Sequence, residues 1–281
     1  MSAPRARPLV IALVVVVALA GVYALWARGT FDAPVRVGTY NIRRFGVEPT
    51  DVDRLAGVVI ETRAAVLGLQ EIQSEDALTH LEARIAALGG ARYRHALATC
   101  GGSRAMFVGF LYDPARVELA ATEELPELDP DGQGRCVEGD RAGLVGSFKY
   151  RGGAFRALVV HLAAGPEPER VERRRAQWTR ALTIARRLRE RGARRVVVLG
   201  DFNSTGWTDN RLGERDFITS SVRSAGLALP SESLTCSEFW HGPSGWLEPS
   251  LLDHLVTTPG MADGAPRVHG YCEAVRCARH R

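Results

Sequence analysis

The run Val196-Val197-Val198-Leu199-Gly200-Asp201-Phe202-Asn203-Ser204 constrains this chain most. Its four leading apolar residues read as a buried strand, which runs into a glycine and then presents a carboxylate and a carboxamide two residues apart. Residues two apart on an extended chain point the same way. Asp201 and Asn203 are therefore expected to converge beyond the strand end, where such a pair suits a hard divalent cation and a phosphate oxygen. Taken alone, the same residues also fit a strand followed by an Asx-type turn.

The design recurs along the chain. Val35-Arg36-Val37-Gly38-Thr39-Tyr40-Asn41-Ile42 reads as a strand carrying Asn41. Ala65-Val66-Leu67-Gly68-Leu69-Gln70-Glu71-Ile72 delivers Gln70 and Glu71, and Phe155-Arg156-Ala157-Leu158-Val159-Val160-His161 delivers His161. Ser250-Leu251-Leu252-Asp253-His254-Leu255-Val256 carries Asp253 into an apolar run. Strands thus place metal- or phosphate-competent side chains mostly near their C-terminal ends.

The order Asn41, Gln70-Glu71, His161, Asp201-Phe202-Asn203, Asp253 resembles the endonuclease/exonuclease/phosphatase superfamily, with its deoxyribonuclease I-like fold, over roughly residues 35 to 258. The two most diagnostic motifs are Asp201-Phe202-Asn203 after Leu-Gly and Gln70-Glu71 after Leu-Gly-Leu. The resemblance implies a divalent-metal-dependent phosphodiester hydrolase using Mg²⁺, with Mn²⁺ or Ca²⁺ as alternatives. It makes Glu71 the principal metal ligand and lets Asn41 assist the metal or the phosphate. Asp201 orients or deprotonates the attacking water. Asn203 donates to the phosphate or helps hold the metal, His161 hydrogen-bonds a non-bridging or leaving oxygen, and Arg141 contacts the phosphate. Asp253 matches a buried aspartate that orients a histidine on the family's last strand. His254, one residue on, should face the other way. The sequence departs from the family at its end: no terminal Ser-Asp-His follows residue 258. Truncation, a degenerate homologue, or substitution by His269 or His280 would each account for that.

At 281 residues the chain suffices for one large domain with a full core. The formal charge is +4, and residues 1–29 supply three arginines and no acid, which leaves +1 for the remainder. Global charge therefore does not single out nucleic acid. Arg5 and Arg7 precede an uncharged run from Pro8 to Ala27, and Leu9 to Trp26 is long enough to span most of a bilayer. Residues 1–29 read as a signal anchor or as a signal peptide cleaved after Ala20, and both place residues 30–281 outside the cytoplasm. Five cysteines agree with export; Cys100 with Cys136, and Cys236 with Cys272 or Cys277, are the expected pairs, leaving one thiol over.

Between the strands, helices are expected from about residue 52, from residue 75 and over residues 167–191, with further strands at 93–98, 106–112, 116–120 and 142–150. The fold class is α/β (α+β): a two-sheet β-sandwich flanked by helices. The expected activity is that of a secreted or membrane-anchored nuclease, monomeric, with nucleic acid as partner. A sphingomyelinase- or phosphoinositide-type phosphoesterase, with Trp207, Trp240 and Trp246 at a lipid interface, is one alternative. A degenerate phosphate-ligand-binding homologue is the other. Residues 170–195 hold eleven arginines against Glu172 and Glu190, a segment suited to tracking a phosphate backbone or to forming a solvated helix face.

Overall fold

The apolar strand runs between residues 65 and 257 must be covered on both faces, and two sheets packed face to face between helices achieve this. A computed structural model describes residues 34–131, 140–241 and 245–280. The apolar run 9–26 and Cys136 lie outside them. In order, the elements are β1 (Val37–Phe45), α1 (Val52–Thr62), β2 (Val66–Ile72), α2 (Glu75–Ala87), β3 (Arg94–Leu97), β4 (Phe107–Tyr112), β5 (Val117–Leu125), β6 (Gly143–Tyr150), β7 (Gly153–His161), α3 (Pro168–Glu190), β8 (Val196–Asp201), α4 (Glu214–Ser224), β9 (Glu238–His241), β10 (Leu247–Ser250), β11 (Asp253–Thr257) and α5 (Tyr271–Ala274). The helices α1 and α2 start where capping chemistry places them. The Asp51 carboxylate accepts from the Arg54 amide at 3.0 Å, and the Ser74 hydroxyl accepts from the Ala77 amide at 3.2 Å.

One sheet has the order β1-β2-β4-β3 and the other β11-β8-β7-β6-β5, while β9 and β10 form a separate ribbon. Val159, Val197 and Leu199 point between the sheets toward Val66, Val108 and Phe110. Their neighbours Leu158, Val160, Val196 and Val198 point outward against Trp178, Ile184 and Leu188 of α3 and Ile218 and Val222 of α4. On the far side, Leu69 and Ile72 pack under Leu55, Val59, Leu78, Leu81 and Ile85 of α1 and α2. The sheets approach closely at Gly68, where a Cβ would lie 2.0 Å from Leu199 Cδ1. That close approach explains a glycine inside a buried strand.

Two parallel pairs set the site. β1 runs with β2, bringing Asn41 beside Gln70, and β7 runs with β8, bringing His161 beside Asp201. The antiparallel β11 begins where β8 ends, so Asp253 lies opposite Asp201. Residues from five strands thereby gather at one end of the sandwich. Two cysteine questions also close: Cys236 pairs with Cys277, and Cys272 is a free, buried thiol. Cys100 is also disulfide-bonded.

Candidate active site

At the centre, Asn41 Nδ2 donates to Asp201 Oδ2 at 2.9 Å and to Glu71 Oε1 at 3.2 Å. His161 Nε2 stands 3.5 Å from Asp201 Oδ2 and 3.8 Å from Glu71 Oε1, outside hydrogen-bond range of both. Backbone amides fix the rest: Arg43 N–H donates to Asn41 Oδ1 at 3.0 Å and Arg44 N–H to Glu71 Oε2 at 3.1 Å. These contacts need an irregular main chain. Arg43, Arg44, Glu71 and Asn203 all have left-handed φ, at 43°, 46°, 60° and 50°. Such φ values are costly for non-glycine residues and cluster at functional sites. Gln70 belongs to the scaffold, since it is fully buried and its Oε1 accepts from Thr39 Oγ1 at 3.1 Å.

Asn203 departs from its expected geometry. Strand β8 ends at Asp201, so the two-residue alternation that would align Asn203 with it no longer operates. Instead the Asn203 amide donates to Asp201 Oδ1 at 2.8 Å, an Asx-turn contact, and Asn203 Nδ2 donates to Leu162 O at 3.1 Å. Asn203 therefore orients the Asp201 carboxylate through its backbone amide and ties the ends of β7 and β8 together through Nδ2.

The electrostatics are those of buried, crowded carboxylates whose charge Arg141 offsets only in part. Burial pushes Asp201 up to about 6, and Glu71 adds to the rise while hydrogen bonds from Asn41 and Asn203 oppose it. Asp253 is pushed up to about 8 by burial and by the Asp201 charge, against a hydrogen bond from Ser237. Its residue surface is only half-buried, but Oδ1 is inaccessible and lacks a partner among the described residues. His161 sits well below the usual histidine range because it is buried, with Arg141 and then Arg104 adding to the effect. It is therefore a neutral imidazole at pH 7. Arg141 Nη1 donates to His161 O at 3.2 Å, and its buried Nε has no partner among the described residues. Burial lowers the Arg141 pKa, and Asp201 and Glu71 act in the opposite direction.

Three participants carry no signal in the sequence motifs. Glu238, at the start of β9, is pushed up to about 9 by burial and then by Asp201, Asp253 and Glu71. Ser237 Oγ accepts from the Leu252 and Asp253 amides at 3.1 and 3.0 Å, fixing the entry to β11. Arg104, exposed on a short 3-10 turn, Gly102–Arg104, acts on Arg141 and His161 through its charge. Their position depends on how loops distant in sequence fold over the strand ends.

Other sequence candidates lie elsewhere. His254 does face away from Asp253, between Ser204 Oγ at 2.8 Å and Ser231 Oγ at 3.1 Å. His269 faces Glu273 and Glu61 at 3.5 and 3.8 Å, and His280 packs on Phe239 and Tyr271, so neither is placed against Asp253. Trp207 is core, its ring tilted at 46° against His254 with centroids 4.3 Å apart, whereas Trp240 is exposed. Much of the arginine-rich segment is structural. Arg173 pairs with Asp129, Asp131 and Asp140, Arg174 is buried against Glu214, and Arg180 donates to Glu127 O and Pro130 O. The face of α3 therefore offers no continuous free track for a phosphate backbone.

The Endonuclease/Exonuclease/phosphatase family model matches residues 38–275. The chain belongs to that family. Solved structures agree at the level of the fold. Zebrafish (D. rerio) TDP2 complexed with single-strand DNA product is 14% identical, with a TM-score of 0.57 over 84% of this chain and 89% of that one. A mannosyl-6-phosphatase from Bacteroides thetaiotaomicron is 15% identical, with a TM-score of 0.58 over 80% and 86%. The human Nocturnin catalytic domain with bound sulfate is 18% identical, with a TM-score of 0.56 over 80% and 83%. No curated protein sequence matches the chain. As a member of this family the protein is a hydrolase of the phosphodiesterase and phosphatase kind, and the family is generally divalent-metal dependent. Among the described residues no helix is long and apolar enough to cross a membrane.

Proposed function

We propose that this chain is a Mg²⁺-dependent phosphodiesterase acting on nucleic acid, held at or exported across a membrane. The observation that carries the reading is the meeting of four strands at one point, where Asn41 lies 2.9 and 3.2 Å from Asp201 and Glu71, and His161 lies 3.5 and 3.8 Å from the same two carboxylates. The residues fit a cation: buried carboxylates with raised pKa values, an orphaned Asp253 Oδ1 and all-oxygen donors are what a hard divalent ion relieves. Glu71 would hold it, with Asn41 Nδ2 bridging Glu71 to Asp201, and when bound it supplies positive charge to the phosphoryl oxygens and acidifies water.

The protein's own groups divide the remaining work. Asp201, ionised above about pH 6, is set to orient the attacking water and take its proton. Neutral His161 donates Nε2–H to a non-bridging oxygen without bringing a second charge to Asp201. Arg141 presents a partly unpaired guanidinium to the phosphate. Nucleic acid is favoured as the substrate because TDP2, matched over most of both chains, is complexed with single-strand DNA product. Export is supported by the Cys236–Cys277 disulfide and by the uncharged run 8–27.

Nicking of supercoiled plasmid by the 281-residue chain, with Mg²⁺, with EDTA and with Glu71→Ala, tests the reading. Mg²⁺-dependent nicking that the variant loses is the expected result. Intact plasmid, together with turnover of a sugar phosphomonoester or of sphingomyelin micelles, would reassign the substrate.

A further inference from the structure

The end of the sandwich opposite the carboxylates is basic. A concavity there is lined by Lys149, Arg156, Arg191, Arg194 and Arg195 and by no acidic residue. Lys149 pairs with Glu118 at 3.2 Å on the rim. Among the described residues the four arginines make no ion pair, and Arg195 lies over the Tyr150 ring at 5.9 Å. Arg191, Arg194 and Arg195 are exposed and Arg156 is half-exposed. In the register of β7 with β8, Arg156 pairs with Val196 and His161 with Asp201. Five residues of strand thus separate the two ends, roughly 17 Å.

The chain enters the fold at this same end. Arg116 Nη2 donates to Pro34 O at 3.1 Å, and Val35 packs in the cluster that holds Tyr150 and Met261. Met261 also lines the basic concavity. Seven residues, 27–33, separate Pro34 from the apolar run that ends at Trp26. Fully extended, they span at most about 25 Å. With residues 9–26 in a bilayer, the part of the fold nearest the lipid headgroups is therefore the part where four arginines without an ion pair among the described residues gather.

We infer that the Arg156–Arg191–Arg194–Arg195 end is a docking face for anionic phospholipid headgroups, which holds the domain upright with its catalytic carboxylates turned away from the bilayer. This rests on the reading of residues 9–26 as membrane-embedded, and it is independent of the substrate. Arginine guanidinia suit headgroup phosphates through paired donors, and exposed basic residues within about a Debye length of an anionic bilayer surface are drawn to it. A nucleic-acid strand is disfavoured as occupant, because a groove at the far end from the catalytic carboxylates would lead a strand away from them.

Hydrogen exchange of the 281-residue chain in lipid nanodiscs tests the inference, comparing phosphatidylcholine discs with discs containing about one quarter phosphatidylglycerol. Several amides of residues 151–153 and 191–194 are already hydrogen-bonded in the fold, so exchange over these residues should slow further in the anionic discs and not in the phosphatidylcholine discs. Protection should vanish in Arg191→Glu/Arg194→Glu/Arg195→Glu and persist in the matching lysine triple variant. Hydrolysis of a soluble phosphodiester should be equal in all three proteins, since none of these residues lies near Asp201. Equal exchange in both lipids, protection that survives charge reversal, or failure of the chain to enter the discs would overturn the inference. So would loss of oligonucleotide affinity in the glutamate variant with no lipid effect, which would give the face to nucleic acid. Lipid-dependent protection in a chain that hydrolyses nothing would uphold the docking face and remove the activity reading alone.

Discussion

Replacing Glu214 by alanine should cost the fold about 3–5 kcal/mol. Glu214 opens α4 and is 2% exposed, as is its partner Arg174 on α3. Arg174 Nε donates to Glu214 Oε1 at 2.9 Å, and a very short contact joins Nη2 to Oε2. The same guanidinium also donates to Ala163 O at 2.7 Å and Gly165 O at 3.0 Å, just beyond His161. Glu214→Ala keeps those carbonyl contacts but strands a full positive charge away from water, and that imbalance sets the magnitude. In a domain of this size each kcal/mol moves the melting temperature by about 2–4 °C, so a fall near 10 °C is expected. Urea unfolding followed by the fluorescence of Trp178, which packs in the same layer, reads the loss directly. The double variant Arg174→Met/Glu214→Leu removes both charges and should lie within about 2 kcal/mol of the parent. A single variant that loses less than about 1 kcal/mol would refute the reasoning, as would a double variant as unstable as the single one.

Other expectations follow from the same geometry. Asp253 and Glu238, at about 8 and 9, hold protons in the fold that the unfolded chain releases near pH 4. Stability of the metal-free protein should therefore be greatest at the acid side of this window and fall as pH rises from about 4 to 9, read as the urea midpoint; a midpoint that rises over this range contradicts it. Asp253→Asn should flatten that dependence. His161→Ala should lower kcat by about two to three orders of magnitude, leaving an acid limb near pH 6 that belongs to Asp201; disappearance of that limb would give the titration to His161 instead. Gly200→Ala should destabilise by several kcal/mol, on the order of 3 or more, because its φ is 145° and a Cβ would lie 1.9 Å from Val160 O; thermal melting checks it.

The strands were legible because their apolar runs are uninterrupted and end in polar residues, and β7 and β8 match the expected strands closely. Helix α3 was equally plain, yet its arginines were not, because the partners Asp129, Asp140 and Glu214 lie in other segments. Asn203 illustrates the limit of periodicity. Alternation holds only while the strand continues, and β8 stops at Asp201. Glu238 and Ser237 were invisible because nothing local marks them; the ribbon of β9 and β10 carries them to Asp253. The cysteines gave a pattern but no choice between Cys272 and Cys277, since only four residues separate them and only the folded tail presents Cys277 to Cys236.

The central claim is that the carboxylates around Asn41 form a divalent-cation site. Calorimetric titration of Mg²⁺ into the metal-free chain near pH 7, in two buffers of different ionisation enthalpy, tests it most directly. The account predicts saturable binding that releases protons, since the cation displaces those held by raised carboxylates, and binding that Glu71→Gln abolishes. Absence of binding, or a Glu71→Gln variant that binds Mg²⁺ as its parent does, would contradict it.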